Sequence, residues 1–301
     1  MNGVLYIDKP PGYTSFDVVA VVRRLSGTRR VGHAGTLDPM ATGVLPVFLG
    51  YPTRFIDLLP NHDKAYTARF ELGYTTDTLD STGETLTRSP VNAGLSDIRA
   101  LMPRFTGEIL QIPPMVSAVK RDGVPLYKLA RAGRTVERAP RPVRIDALEV
   151  SPGGEEHTYI LNVACARGVY VRALIDDLGN ALGCGAVMTA LRRTMACGIS
   201  EEDCAPLDAV RARGVSAFLK PPDALLRDYP AARVSAEELK RLRNGVTLSP
   251  FRLRDMAEHP AGLCRIYSNS DFCGLAFYDA RARTMRARVM LPPEETTHGE
   301  G

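Results

Sequence analysis

The stretch VGHAGTLDPMATGVLPVFLG, residues 31–50, carries one carboxylate, Asp38, and one imidazole, His33, among glycines, prolines, threonines and apolar side chains. An ionised carboxylate in apolar surroundings carries a desolvation cost of several kcal/mol unless a cation or several N–H groups face it. No lysine or arginine occurs between Val31 and Gly50, so a cationic partner has to arrive from a distant part of the chain, as at an assembled active site. An aspartate held charged in such a place could act as a covalent nucleophile or a charge stabiliser. The plainer alternative is local: Asp38-Pro39 is also a good helix start, with the aspartate as N-cap, or the opening of a turn.

Other chemistries find less support. Gly32, Gly35 and Gly43 fit neither the G-x-x-x-x-G-K-[ST] nor the G-x-G-x-x-G pattern, which excludes a Walker ATPase. Cys165, Cys184, Cys197, Cys204, Cys264 and Cys273 form no C-x-x-C pair, and no two histidines have the i, i+4 spacing of a helical metal pair. Reduced, mostly buried thiols and no metal are expected, and no Ser/His/Asp or paired-carboxylate arrangement points to a hydrolase. From 128 to 144 the chain sets Lys128, Arg131, Arg134, Arg138, Arg141 and Arg144 against the single acid Glu137. That density suits RNA phosphates, and equally a solvated face of a helix and loop.

Elements to position these groups are legible. TSFDVVAVVRRLSG reads as an amphipathic helix, with Thr14 or Ser15 as cap, Asp17 in the first turn, and Gly27 at the end. A second helix is expected from Ser96, shortened or kinked by Pro103. YVRALIDDLGNALG puts Val171, Leu174, Ile175, Leu178 and Leu182 on one stripe. YTARFELG, PVRIDALEV and HTYILNVACA read as strands, and the irregular mixing of helices and strands favours an α+β domain. Further on, RVSAEELKRLRNG has Ser235 and Glu238 spaced as a capping box, followed by short strands around GLCRIYS, FCGLAFYD and MRARVML. A helix and several strands there predict a small β-barrel appendage, and PPEETTHGEG should form a frayed tail.

At 301 residues and 45% hydrophobic, the chain can bury a large core, so one large and one small domain are expected. A net charge of +4 permits a nucleic-acid partner without requiring one. No apolar run approaches a membrane span, and MNGVLYIDKPPGYTS lacks the features of a signal peptide, so a cytoplasmic protein is expected.

GHAGTLDPMATGVLPVFLG resembles the signature of the TruB family of pseudouridine synthases, the bacterial tRNA pseudouridine(55) synthases acting on the T loop. NGVLYIDKPPGYTS, DKAYTARFELGYTTDTLDSTG, QIPPMVSAVKRDGVPLYKLARAG, CARGVYVRALIDDLG and ALRRTMACG fall in the family's order, so the similarity covers roughly residues 2–198. The resemblance implies a pseudouridine synthase fold, with a mixed, mainly antiparallel sheet flanked by helices and a PUA-like C-terminal domain. It divides the chain into a catalytic domain (1–227) with a basic RNA-gripping insertion (about 120–145), a PUA-like domain (228–291) and a flexible tail (292–301).

By the same resemblance Asp38 is the catalytic aspartate, Arg172 its paired cation, and Tyr66 the ring against the target base. Tyr170 is a neighbouring active-site residue, Leu191 an apolar wall, and His33 a support for the flipped-out RNA, while Lys128, Arg131 and Arg134 grip the T arm. Uridine isomerisation involves no redox change, so no cofactor is implied; the partner is the tRNA T stem-loop, met by a monomer with no obligatory protein partner. Each residue also has a plainer place: Arg172 on the solvated side of its helix, Tyr66 half-buried in a strand. Arg167 stands where the family more usually has lysine, which keeps charge and changes hydrogen-bond geometry. A non-catalytic RNA-binding or folding-assistant protein, and a guide-RNA-dependent pseudouridine synthase, remain the alternatives.

Overall fold

The computed structural model describes residues 1–249 and 261–293. The chain opens with strand β1 (Gly3–Lys9) and helix α1 (Ser15–Ser26). The Thr14 side chain accepts from the Asp17 amide, Asp17 reciprocates on the Thr14 backbone, and Gly27 closes the helix at φ 63°, as the sequence predicts. Then come β2 (Val31–His33), β3 (Thr42–Leu49), β4 (Lys64–Leu72) and the small hairpin of β5 (Tyr74–Thr76) and β6 (Thr85–Arg88). Helix α2 (Leu95–Leu101) tightens into a 3₁₀ turn at Pro103, which is how the proline shortens it.

Strand β7 (Gly107–Gln111) leads into an excursion holding β8 (Lys120–Arg121), β9 (Val124–Pro125) and the short helix α3 (Leu126–Arg131). The long strands β10 (Arg141–Pro152) and β11 (Thr158–Cys165), helix α4 (Val171–Leu182) and strand β12 (Ala186–Ala196) follow. β13 (Ile199–Ser200), β14 (Ala205–Pro206) and α5 (Leu207–Arg213) complete the larger unit.

One mixed sheet runs β14-β1-β3-β12-β4-β11-β10-β7, with β2 added on β3 and β13 on β12. Its pairings are antiparallel except β1 with β14 and β3 with β12. Alternation along β4 buries Tyr66, Ala68, Phe70 and Leu72 on one face, where Leu161 and Val163 of β11 and Leu174, Ile175 and Leu178 of α4 meet them. The stripe read from the sequence therefore lays α4 over the strand that carries Tyr66. β3 is buried on both faces: Val44 and Phe48 join one cluster, Leu45, Val47 and Leu49 another beneath α1. At Gly43 a Cβ would fall 2.2 Å from the Arg193 carbonyl, so only glycine, here at φ 99°, lets β12 come this close.

The C-terminal part holds β15 (Ala231–Arg233), α6 (Ala236–Arg243) capped by Ser235 and Glu238, and β16 (Gly262–Ser268), β17 (Asp271–Asp279) and β18 (Thr284–Met290) in one sheet of that order. It shares a core with the larger unit, where Leu275, Val289 and Leu291 pack with Phe48 and Phe55. All six cysteines are free thiols, five of them buried. The tail expected at 292–301 lies, from residue 294 on, outside the described residues. Among the described residues no helix is long and apolar enough to cross a membrane.

Candidate active site

Asp38 sits in the loop between β2 and β3, in a turn closed by the Ala41 amide on the Asp38 carbonyl at 3.1 Å. It caps no helix, which settles the local alternatives in favour of the turn. Three buried side chains from distant strands and helices hold this loop by its backbone. Ser15 Oγ, at the start of α1, accepts from the Leu37 amide at 2.8 Å and donates to the Leu37 carbonyl at 3.2 Å. Lys9, at the end of β1 and with no exposure, donates to the carbonyls of Pro10, Tyr13 and Pro39. Arg193 of β12, equally buried, donates through Nη2 to the Gly35 carbonyl at 3.1 Å and through Nε to the Val44 carbonyl at 2.7 Å. Backbone carbonyls satisfied by cations fix the loop without drawing on its one carboxylate.

The distant cation that Asp38 requires is Arg172, in the first turn of α4. Its Nε stands 3.0 Å from Asp38 Oδ2, with the Arg172 side chain 4% exposed and that of Asp38 34%. Its Nη1 donates to the Thr78 carbonyl at 2.8 Å and its Nη2 to the Val116 carbonyl at 2.9 Å. Arg172 is therefore buried, and the solvated helix face that its position opposite Leu174 and Leu178 allowed is excluded: the segments around Thr78 and Val116 cover the first turn. A second carboxylate, Asp80, lies 3.4 Å from Nη1 and is 6% exposed. Its other oxygen accepts from the Thr78 hydroxyl at 2.8 Å and the Thr82 amide at 3.0 Å.

Burial pushes the Asp38 carboxyl above its ordinary range, with Arg172 opposing and Asp80 adding to the rise. The carboxylate opens on a cavity of about 260 Å³ lined by Leu37, Lys64, Tyr66, Tyr170 and Leu191 among others. Tyr66 is buried rather than half-buried. Desolvation raises its phenol, against the neighbouring Arg193 guanidinium. The Tyr170 backbone is clamped by Gln111, whose Oε1 accepts from its amide at 2.8 Å and whose Nε2 donates to its carbonyl at 3.1 Å. Asp38, Tyr66, Leu191 and the adjoining pair Tyr170 and Arg172 thus come together from four segments.

His33 lies beside this cavity rather than on its wall. Its ring meets Phe16 edge-on, centroids 5.3 Å apart, and its Nδ1 is out of solvent without a hydrogen-bond partner. Burial and then Arg193 lower its pKa, so it is neutral near pH 7. Lys128 and Arg131 on α3 and Arg134 after it are exposed. Their segment is tied to the rim, because the Tyr127 amide donates to the carbonyl of Ser117, a pocket residue, at 3.0 Å. Arg144 is engaged with its own acids, 2.8 Å from Asp146. The sequence alone did not mark Asp80, Lys9, Arg193, Ser15 or Gln111 for the site, because each acts there through a partner distant in the chain; Ser15 was legible only as a possible helix cap.

A solved structure titled as a Cbf5-Nop10-Gar1 complex superposes with a TM-score of 0.70 at 25% identity, covering 96% of this chain and 85% of that one. An archaeal box H/ACA sRNP Nop10-Cbf5 complex gives 0.69 at 24%, over 97% and 87%. Fold and cleft together define the pseudouridine synthase class, with a small C-terminal sheet of PUA-like kind. The description "TruB family pseudouridylate synthase (N terminal domain)" matches residues 23–171, and "tRNA pseudouridylate synthase B C-terminal domain" matches 172–227. A protein of Pseudomonas fluorescens (strain Pf0-1) named tRNA pseudouridine synthase B is 43% identical over 298 residues, covering 96% of each chain. One of that name from Ralstonia pickettii (strain 12J) is 43% identical over 308 aligned residues, covering 99% of this chain and 95% of its own. The chain belongs to the TruB family of pseudouridylate synthases.

Proposed function

We propose that this protein isomerises uridine to pseudouridine in the T loop of tRNA. The observation that carries the reading is the Asp38 carboxylate, 3.0 Å from a buried guanidinium, facing a base-sized cavity whose wall includes Tyr66. The reaction breaks the bond between ribose C1′ and uracil N1, turns the base, and joins C1′ to C5 with loss of the C5 proton. It needs a group that attacks or stabilises a transient centre, and Asp38 fills that role. Arg172 holds the carboxylate charged and aimed.

The target base must leave its stack, at a cost of a few kcal/mol. Stacking on one ring returns about 1–3 kcal/mol, and Tyr66 supplies that ring. Tyr170 and Leu191 bound the base, His33 supports the opened loop as a neutral ring, and Lys128, Arg131 and Arg134 meet phosphates of the arm. The catalytic unit is residues 1–227, with 228–291 as a further RNA-binding unit. The protein works as a cytoplasmic monomer, without metal, cofactor or obligatory protein partner.

The test is tritium release from an unmodified T-arm transcript labelled at uracil C5, with a transcript carrying C at the target as blank. Release by the wild-type chain, lost in Asp38→Asn while RNA binding persists, is the expected result. No release by the wild-type chain overturns the reading. The likeness to Cbf5 complexes keeps a guide-dependent mode in view, and activity on the bare stem-loop excludes it.

A further inference from the structure

We propose that the Phe16 ring is a stacking platform for an unstacked nucleobase of the substrate RNA other than the target, at the rim of the cleft; this rests on the tRNA reading above. Phe16 is 72% exposed, the only phenylalanine so placed among the described residues. An apolar ring in water at this point is not left over from core packing, since the buried face of α1 is formed by Val18, Val19, Val21 and Val22.

The backbone that carries the ring is anchored on both sides. Phe16 follows Ser15, which is locked to Leu37 by two hydrogen bonds, and precedes Asp17, whose carboxylate is taken up by Thr14 in the capping box. The ring itself meets His33 edge-on, at 5.3 Å and 82°. Because Leu37 adjoins Asp38, this chain of contacts places an exposed, oriented aromatic ring one loop away from the carboxylate.

The surroundings favour nucleic acid as the occupant. Helical spacing carries the Phe16 face on to Ala20 and Arg23, both exposed, with Arg24 alongside. Beyond the helix are the exposed Arg29 and Arg30, and the Arg30 guanidinium lies 4.7 Å from the centroid of the Tyr51 ring. Aromatic rings flanked by a line of cations are how proteins hold single-stranded nucleic acid: the phosphates follow the charge and a base lies on the ring. Flipping one nucleotide breaks its stacking on either side, so a neighbour of the target is left with an open face that Phe16 can cover.

The experiment measures binding of the full-length chain to the unmodified T stem-loop by fluorescence anisotropy, and single-turnover isomerisation at saturating enzyme. Phe16→Ala is expected to weaken binding about 5- to 150-fold, the equivalent of removing one base–ring stack. Phe16→Trp should restore binding, and the saturated single-turnover rate should hold in both. Because the ring is exposed, Phe16→Ala should melt with the wild type, which separates a missing stack from a damaged fold.

Stem-loops with one abasic nucleotide at each loop position then locate the base. At one position outside the target, the abasic lesion should weaken the wild type and leave Phe16→Ala unaffected. Phe16→Ala binding as tightly as wild type, or equal abasic penalties in both proteins at every position, overturns the platform. Tritium release by the wild type on the same RNA is scored separately: its absence defeats the isomerase reading, while the binding comparison still decides Phe16.

Discussion

Asp80 reaches the guanidinium of Arg172 at Nη1, 3.4 Å away, while Asp38 meets the same guanidinium at Nε. Two carboxylates therefore share one buried cation, and Asp80, held by Thr78 and Thr82, is the more enclosed of the two. Asp80, together with the Thr78 and Val116 carbonyls, holds Arg172 in place, and Arg172 in turn meets Asp38. Asp80→Asn keeps the shape and removes the charge. It should lower the single-turnover rate about 10- to 100-fold, the scale of a small misplacement of reacting groups, with RNA affinity unchanged. Rapid-quench kinetics beside anisotropy checks the split; equal losses in rate and affinity would point to a general disturbance of the cleft.

The same arrangement fixes the pH profile. In the proposed reaction Asp38 acts as the anion, and burial, helped by Asp80, raises its carboxyl above the ordinary carboxylate range. The rate should therefore climb with pH along a single acid limb centred above that range. His33, held neutral by burial and by Arg193, should add no limb near pH 6.5. In Asp80→Asn one negative neighbour is gone, so the limb should move to lower pH. A shift to higher pH would contradict the assigned electrostatics.

Arg172 also bears on stability. Arg172→Met leaves Asp80 buried without its cation and the Thr78 and Val116 carbonyls without their donor. Breaking one side of a buried pair costs about 3–5 kcal/mol, with melting falling about 2–4 °C per kcal/mol in a chain of this size class. Adding Asp80→Asn to Arg172→Met should recover part of that loss, because the stranded charge is removed. Urea unfolding of the single and double variants measures the recovery.

Legibility in the sequence followed locality. The cap of α1 and the stripe of α4 are written within a dozen residues each, and both elements fold as their sequences read. The need for a remote cation was legible from a carboxylate in a stretch without lysine or arginine. That the cation is Arg172 came from the family resemblance, because helix periodicity alone placed it towards solvent. Asp80 was not singled out: it lies in DKAYTARFELGYTTDTLDSTG, one of the stretches that carry the family resemblance, but nothing local marks it as buried, and in the fold it bridges to Met188 in β12, more than a hundred residues later. Arg192 and Arg193 look interchangeable in the sequence, yet β12 sends the first to Asp8 and Glu201 and the second under the Asp38 loop.

Ser15 tests whether the loop's backbone anchors matter to catalysis. Ser15→Ala removes one hydroxyl and strands the buried Leu37 amide and carbonyl. An unpaired buried polar group costs about 1–3 kcal/mol, so the variant should fold with reduced stability. The loop next to Asp38 is then less well held, and the single-turnover rate should fall by more than the RNA affinity does. Ser15→Thr, which keeps the hydroxyl, should sit between the two if the added methyl is accommodated. A melting curve and a rate measurement on each variant give the answer.

The exposed cations of α3 and the loop after it call for a different readout. Arg131 and Arg134 stand outside the cavity, so they do not touch the reacting base, and their proposed partners are phosphates. Removing one cation from a phosphate should reduce the slope of log affinity against log salt by about 1, and weaken binding irrespective of which base lies nearby. Arg131→Gln and Arg134→Gln should therefore raise KM at moderate salt and leave the rate at saturation intact. At high salt their affinities should converge on that of the wild type, because the counterion term they lack is screened for all three. An Arg131→Gln variant with an unchanged salt slope would mean that this guanidinium, which lies 5.7 Å from the centroid of the Tyr127 ring, serves the helix and not the RNA.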